Sequence, residues 1–226
     1  MKKIIAHRGV FNNKDIPENS LKSFREAVKL NYDVEFDIHL TKDNILVVFH
    51  DDNLKRMTGL DKNIQDCTYD EIKDLKLLNT NEHIPTLDEV LKVIDNKVFM
   101  DIEVKSTKRI KETCDLLIDK LKNYKDYSFK SFDPRIVRYI NKNYPDMKVG
   151  YLIADKYDVK ILKYILPSRL LIKYSGCDFL SISKHLLKKK KFKKLSKIYP
   201  TQIWTIKDKS EILNDEYVYI CNNIKE

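Results

Sequence analysis

The stretch Asp33-Val34-Glu35-Phe36-Asp37-Ile38-His39-Leu40 alternates polar and apolar residues from end to end. Side chains two apart on a strand share a face, so Glu35, Asp37 and His39 point one way. Val34, Phe36 and Ile38 fill the other face and suit the side of a sheet that packs under helices. A solvated edge strand would produce the same alternation. A second stretch favours the interior: in Asp101-Ile102-Glu103-Val104-Lys105 the charged residues again share a face, with Ile102 and Val104 opposite. Two such strands side by side place several carboxylates in one interior, where they are costly unless paired or liganded.

Working outward, apolar β-rich runs alternate with helix-like segments along the chain. An N-terminal strand over residues 3–6 leads to a helix over 21–30, with Leu21, Phe24, Ala27 and Val28 at helical spacing and Asn19 or Ser20 as N-cap. An apolar run at 45–49 ends in His50-Asp51, and an irregular segment at 52–85 carries one short helical piece near 69–75. Thr86 caps a helix through residue 94, and a strand over 98–104 follows. Helices at 112–121, 136–143, 159–166, 192–198 and 210–213 then precede strands at 127–131, 148–153, 179–182, 202–206 and 217–220. About eight βα units with one excursion argue for a parallel sheet closed as a (β/α)₈ TIM barrel with a small insertion after the second strand. An open doubly wound sheet is the runner-up, but no GxGxxG follows the first strand.

The 226 residues suit a single domain over 1–226, with the insertion at about 52–85. Hydrophobic residues make up 42% and charged ones 34%, a globular composition, and no run of about 20 apolar residues suggests a membrane span. His7 and Arg8 interrupt the apolar start, so no signal peptide is expected and a cytoplasmic location follows. Cys67, Cys114, Cys177 and Cys221 are scattered and read as free thiols. The net charge of +9 is carried by lysines spread along the chain, and Lys188-Lys189-Lys190-Lys191 reads as a solvated run in a loop or first helical turn. A nucleic-acid partner would rest on charge alone and is not expected.

Barrel enzymes draw their chemistry from the C-terminal ends of strands. The first strand leads into His7-Arg8-Gly9, and the run after the second ends at His50. Glu35 and Asp37 stand ~6–7 Å apart at Cα, close enough for one cation. Three or more carboxylates suit a hard divalent ion, Mg²⁺ or Ca²⁺, better than zinc. With Arg8 and Lys105 beside them, the set could hold a phosphate while two histidines move protons.

These residues fall in blocks that resemble the glycerophosphodiester phosphodiesterase family. The blocks are Ala6-His7-Arg8-Gly9, Pro17-Glu18-Asn19-Ser20, Glu35-Phe36-Asp37-Ile38, Leu40-Thr41-Lys42-Asp43 and Val48-Phe49-His50-Asp51. Arg56-Met57-Thr58-Gly59, Ile84-Pro85-Thr86-Leu87-Asp88-Glu89, Asp101-Ile102-Glu103-Val104-Lys105, Ser131-Phe132 and Trp204-Thr205 continue them in the family's order. The resemblance implies metal ligands at Glu35, Asp37 and Glu103, an acid–base pair at His7 and His50, and phosphate contacts from Arg8 and Lys105. Glu18 would support the metal region, and Trp204 would either pack on the glycerol or head group or fill the barrel top. The expected reaction is metal-dependent hydrolysis of a small glycerophosphodiester to glycerol 3-phosphate and an alcohol, through a cyclic phosphate or by direct water attack.

Two departures from the family pattern stand out. The last strand reads Tyr219-Ile220-Cys221-Asn222-Asn223 where Gly-Ile-Ile-Thr-Asp is usual, and Asn31 replaces a common Gly. Neither is expected to touch the chemistry, although the first alters the pocket rim. A lysophospholipase D or other specialised phosphodiesterase shares these motifs, but no further amphipathic helix offers a lipid channel. A non-catalytic barrel would be expected to have lost a histidine or a ligand, and none is missing.

Overall fold

The computed structural model describes residues 3–156, 167–212 and 215–222. Eight parallel strands form its sheet: β1 (Lys3–His7), β2 (Asp33–Leu40), β4 (Met100–Val104), β5 (Tyr127–Ser131), β6 (Val149–Ile153), β7 (Phe179–Ser183), β8 (Thr201–Ile206) and β9 (Val218–Cys221). Each pairs with its neighbours, and β1 closes the circle by pairing with both β9 and β2. The short β3 (Leu46–Val48) pairs antiparallel with the last residues of β2, at Ile38, His39 and Leu40.

Helices cover the outside: α1 (Leu21–Lys29), α4 (Leu87–Ile94), α5 (Ile110–Lys120), α6 (Pro134–Asn143), α7 (Arg169–Ser175) and α8 (Lys190–Leu195). The alternation in β2 resolves as expected: Val34, Phe36 and Ile38 are fully buried in the main apolar core with Phe24 and Ala27 of α1 and Leu91 of α4. Ser20 caps α1 and Thr86 caps α4, each through a reciprocal bond with the residue three further on, Ser23 or Glu89. These caps fix where the helices begin and hence the path of the loops that carry the site. Asn31 adopts φ 56° just past α1, a left-handed position that asparagine tolerates, which explains how it stands in for glycine.

Residues 52–85 are more ordered than an irregular excursion. They form α2 (Lys55–Thr58), a 3₁₀ turn (Ile64–Asp66) and α3 (Tyr69–Ile72), and bury Leu54, Met57, Ile64, Cys67, Ile72, Leu77 and Ile84 with Val47 and Phe49 in a second core. Helix α7 was not anticipated, and the helix read at 159–166 lies outside the described residues. The last helical segment shrinks to a 3₁₀ turn, Lys209–Glu211. All four cysteines are free and buried.

Candidate active site

Parallel register sets the centre of the site. β2 and β4 align Glu35 with Asp101 and Asp37 with Glu103, so their interior-facing carboxylates lie side by side. Oxygens of Glu35, Asp37 and Glu103 all fall within 4.8 Å of one another, and all three residues are buried. Packing three acids this closely is electrostatically costly. Burial and the charges of Asp37, Glu103 and Asp101 push the Glu35 carboxyl upward. An all-oxygen donor set under this strain fits a hard divalent cation.

Cations of the chain meet part of the demand. Lys105 lies 2.8 Å from Glu103 and 3.1 Å from Asp37, bridging the two ligand candidates. Burial opposes its charge, yet Asp37 and Glu103 outweigh that and raise its pKa. Below them, Lys130 is 1% exposed and pairs with Asp101 at 2.7 Å and Glu35 at 3.2 Å. Burial likewise works against Asp37 as an anion, but Lys105, His50 and Arg8 hold it well below the usual carboxylate range.

The turn after β1 places the next groups. Arg8 has φ 55°, a strained left-handed value, and Gly9 follows at φ 77°. A Cβ on Gly9 would lie 2.6 Å from Ser23 Oγ, so only glycine lets this turn press against α1. The turn directs the Arg8 amide to Glu35 at 3.2 Å and its guanidinium to Glu18 at 2.7 Å, with Nε 3.7 Å from Asp37. Asn19 donates to Asp37 at 2.8 Å, orienting that carboxylate.

The two histidines are held differently. His7 Nδ1 donates to Asn222 Oδ1 at 2.6 Å, leaving Nε2 turned toward Glu35 at 4.0 Å. Burial, then Arg8, lowers its pKa to about 3 and keeps it neutral. His50, just beyond β3, donates from Nδ1 to Asp51 at 2.6 Å. Asp51 is gripped in turn by Arg56 of α2, which also reaches Glu18 at 2.6 Å. A continuous chain of bonds thus runs from His50 through Asp51, Arg56, Glu18 and Arg8 to the carboxylate centre.

The structure therefore brings His7, Arg8, Glu18, Glu35, Asp37, Glu103 and Lys105 together, with His50 joined through its network. Trp204, at the end of β8, packs edge-on against Phe132 with centroids 5.7 Å apart. His39 shares the face of Glu35 and Asp37 but is not part of the carboxylate trio; it is 1% exposed, with its pKa lowered to about 3 by burial and Lys105. One expectation changes: the altered last strand reaches the candidate site itself, because the end of β9 closes against β1 and delivers the Asn222 side chain to His7. Asp51 and Arg56 lie in the family-like motifs with no role evident from sequence, and Asn19 reads there only as a candidate helix cap; the folded contacts tie all three to the site. Lys130 carried a fainter signal, a charge between the buried residues Phe129 and Ser131.

Fold and site define a (β/α)₈ barrel that gathers carboxylates, cations and histidines at the C-terminal ends of its strands, where such barrels place their active sites. The model of the glycerophosphoryl diester phosphodiesterase family matches residues 7–216. The chain belongs to that family. A glycerophosphodiester phosphodiesterase of Caldanaerobacter subterraneus subsp. tengcongensis is 36% identical over 163 residues, 66% of this chain and 65% of the relative. The structure of a glycerophosphodiester phosphodiesterase from Parabacteroides distasonis superposes with a TM-score of 0.80 at 28% identity, covering 99% of this chain and 93% of that one. A phosphodiesterase from Oleispira antarctica, solved in complex with the product sn-glycerol-3-phosphate, gives 0.81 at 25% identity, covering 98% and 93%.

Proposed function

We propose that this protein hydrolyses small glycerophosphodiesters to glycerol 3-phosphate and an alcohol, with the aid of a divalent cation, Mg²⁺ or Ca²⁺. The observation that carries the reading is the buried trio Glu35, Asp37 and Glu103, flanked by two cations and two histidines. These three carboxylates would hold the ion, which when bound supplies positive charge for the phosphoryl oxygens. Arg8 and Lys105 would share those oxygens; their pairs with Asp37 hold them beside the carboxylates and support this reading.

Cleavage breaks the phosphorus bond to the alcohol oxygen and forms one to an attacking oxygen. His7 and His50 act as the acid–base pair, one taking the proton of the attacking water or glycerol hydroxyl and the other protonating the departing alcohol; where the glycerol hydroxyl attacks, a water then opens the cyclic phosphate to glycerol 3-phosphate. Each ring donates from Nδ1 to an oxygen acceptor, Asn222 or Asp51, so Nε2 is the nitrogen left for this exchange. Glu18 keeps Arg8 and Arg56 in register, and the Trp204–Phe132 pair forms an aromatic wall for the glycerol or head group.

The test is phosphorus NMR of products from glycerophosphodiesters of several head groups, with a lysophospholipid alongside. Glycerol 3-phosphate from the water-soluble diesters supports the reading. Turnover of the lysophospholipid alone would replace it with a lysophospholipase D activity.

A further inference from the structure

The lysines are spread along the chain, but their excess is not. Residues 168–199 contain Arg169 and nine lysines against one acid, Asp178, a net of +9 that equals the charge of the whole chain. The rest of the molecule is balanced. Lys184 pairs with Glu211, and Asp178 is taken by Lys148. Among the described residues no salt bridge neutralises Lys188, Lys189, Lys190, Lys193 or Lys194, which are all exposed.

The fold gathers this charge. Segment 184–191 follows β7 directly, at the same end of the barrel as the carboxylate centre, and α7 starts beside it: Lys191 donates to the Pro167 carbonyl at 2.6 Å. Burial, then Arg169 and Lys189, lowers the Lys191 pKa, as expected of like charges crowded together. Within this crowd Leu170, next to Arg169, is 81% exposed, the most exposed large apolar side chain described. Elsewhere in this basic stretch a cavity of about 780 Å³ has Leu187, Pro200 and Ile203 in its wall, with Lys188, Lys193 and Lys197 and the acids Glu211 and Glu216 around it.

Unpaired ammonium groups on a face that also exposes Leu170 are complementary to an anionic lipid surface, which offers negative head groups over hydrocarbon. A hydrophilic polyanion would use the lysines and gain nothing from Leu170. We propose that the face formed by α7, residues 184–191 and α8 docks the protein peripherally on anionic bilayers, with its strand-end face beside the membrane. This rests on charge and exposure alone and does not depend on the reaction proposed above.

The experiment is sedimentation of the full chain with vesicles of phosphatidylcholine alone and of phosphatidylcholine with phosphatidylglycerol, beside a heparin-binding assay. Binding is expected only to the anionic vesicles and is lost in high salt. Lys188→Gln/Lys189→Gln/Lys190→Gln should weaken it at least about tenfold. Leu170→Ser should weaken vesicle binding several-fold and leave heparin binding unchanged. These side chains are exposed, so circular dichroism should show every variant folded. No anionic-vesicle binding, equal binding to both vesicles, or a Leu170→Ser variant that binds vesicles like the parent would each overturn the proposal; the last, with strong heparin binding, would point to a soluble polyanion.

Discussion

At the residue scale, the site is a set of charges that stabilise one another. His7→Ala and His50→Ala should each lower turnover by about 10²–10⁴-fold while circular dichroism stays unchanged. Parent-like turnover in either would remove it from the acid–base pair. Glu18 makes a separate prediction about stability. Burial opposes its charge, but Arg56 and Arg8 lower its pKa from an ordinary 4.5 to about 2. A carboxylate depressed in the folded state stabilises above its unfolded pKa, and that contribution fades as pH falls from about 4.5 toward about 2. It amounts to something on the order of 3 kcal/mol. The melting temperature of Glu18→Gln should therefore fall below that of the parent near neutrality and converge with it on acidification; a gap independent of pH would contradict this. Glu35, Asp37 and Glu103 were legible in the sequence because interior charge at a period of two has few uses. Asn222 was not, since an asparagine at a strand end looks like a turn until β9 is seen to close against β1.

At the element scale, the insertion after β2 takes part in the site through Arg56. This residue holds Asp51 behind His50 and Glu18 behind Arg8, so α2 ties the two sides together. Arg56→Ala should cost about 10–100-fold in kcat through lost positioning. Arg56→Lys should recover only part of it, because an ammonium cannot reproduce the guanidinium fork. An unchanged kcat in the alanine variant would show that the insertion serves stability alone. The β-strands were read from sequence nearly residue for residue, because they are short apolar β-rich runs between helical segments and, in β2 and β4, one face is also charged. The internal order of residues 52–85 was hidden: its buried residues, such as Leu54, Met57 and Ile64, follow no single period and pack around short turns. Helix α7 was missed for a related reason, since with only Ile172 and Ser175 buried it shows little apolar patterning.

At the scale of the whole molecule, closure of the barrel is what makes a site out of distant segments. His7 and Asn222 stand 215 residues apart in sequence and meet because β1 and β9 are neighbours. Fold class and the carboxylate centre could be read before any coordinates, since βα alternation and paired acidic strands repeat along the chain. The excess of charge in residues 168–199 can be counted in the sequence, but its gathering on one face needed the fold, which sets residues 184–191 beside α7. We propose that the Glu35, Asp37 and Glu103 centre works with a divalent cation to cleave a glycerophosphodiester. The most direct measurement is the rate of glycerol 3-phosphate release after metal is stripped with EDTA, then after Mg²⁺ or Ca²⁺ is returned. Activity should vanish in chelator and return with one of these ions; full activity in chelator would rule out a metal-dependent centre.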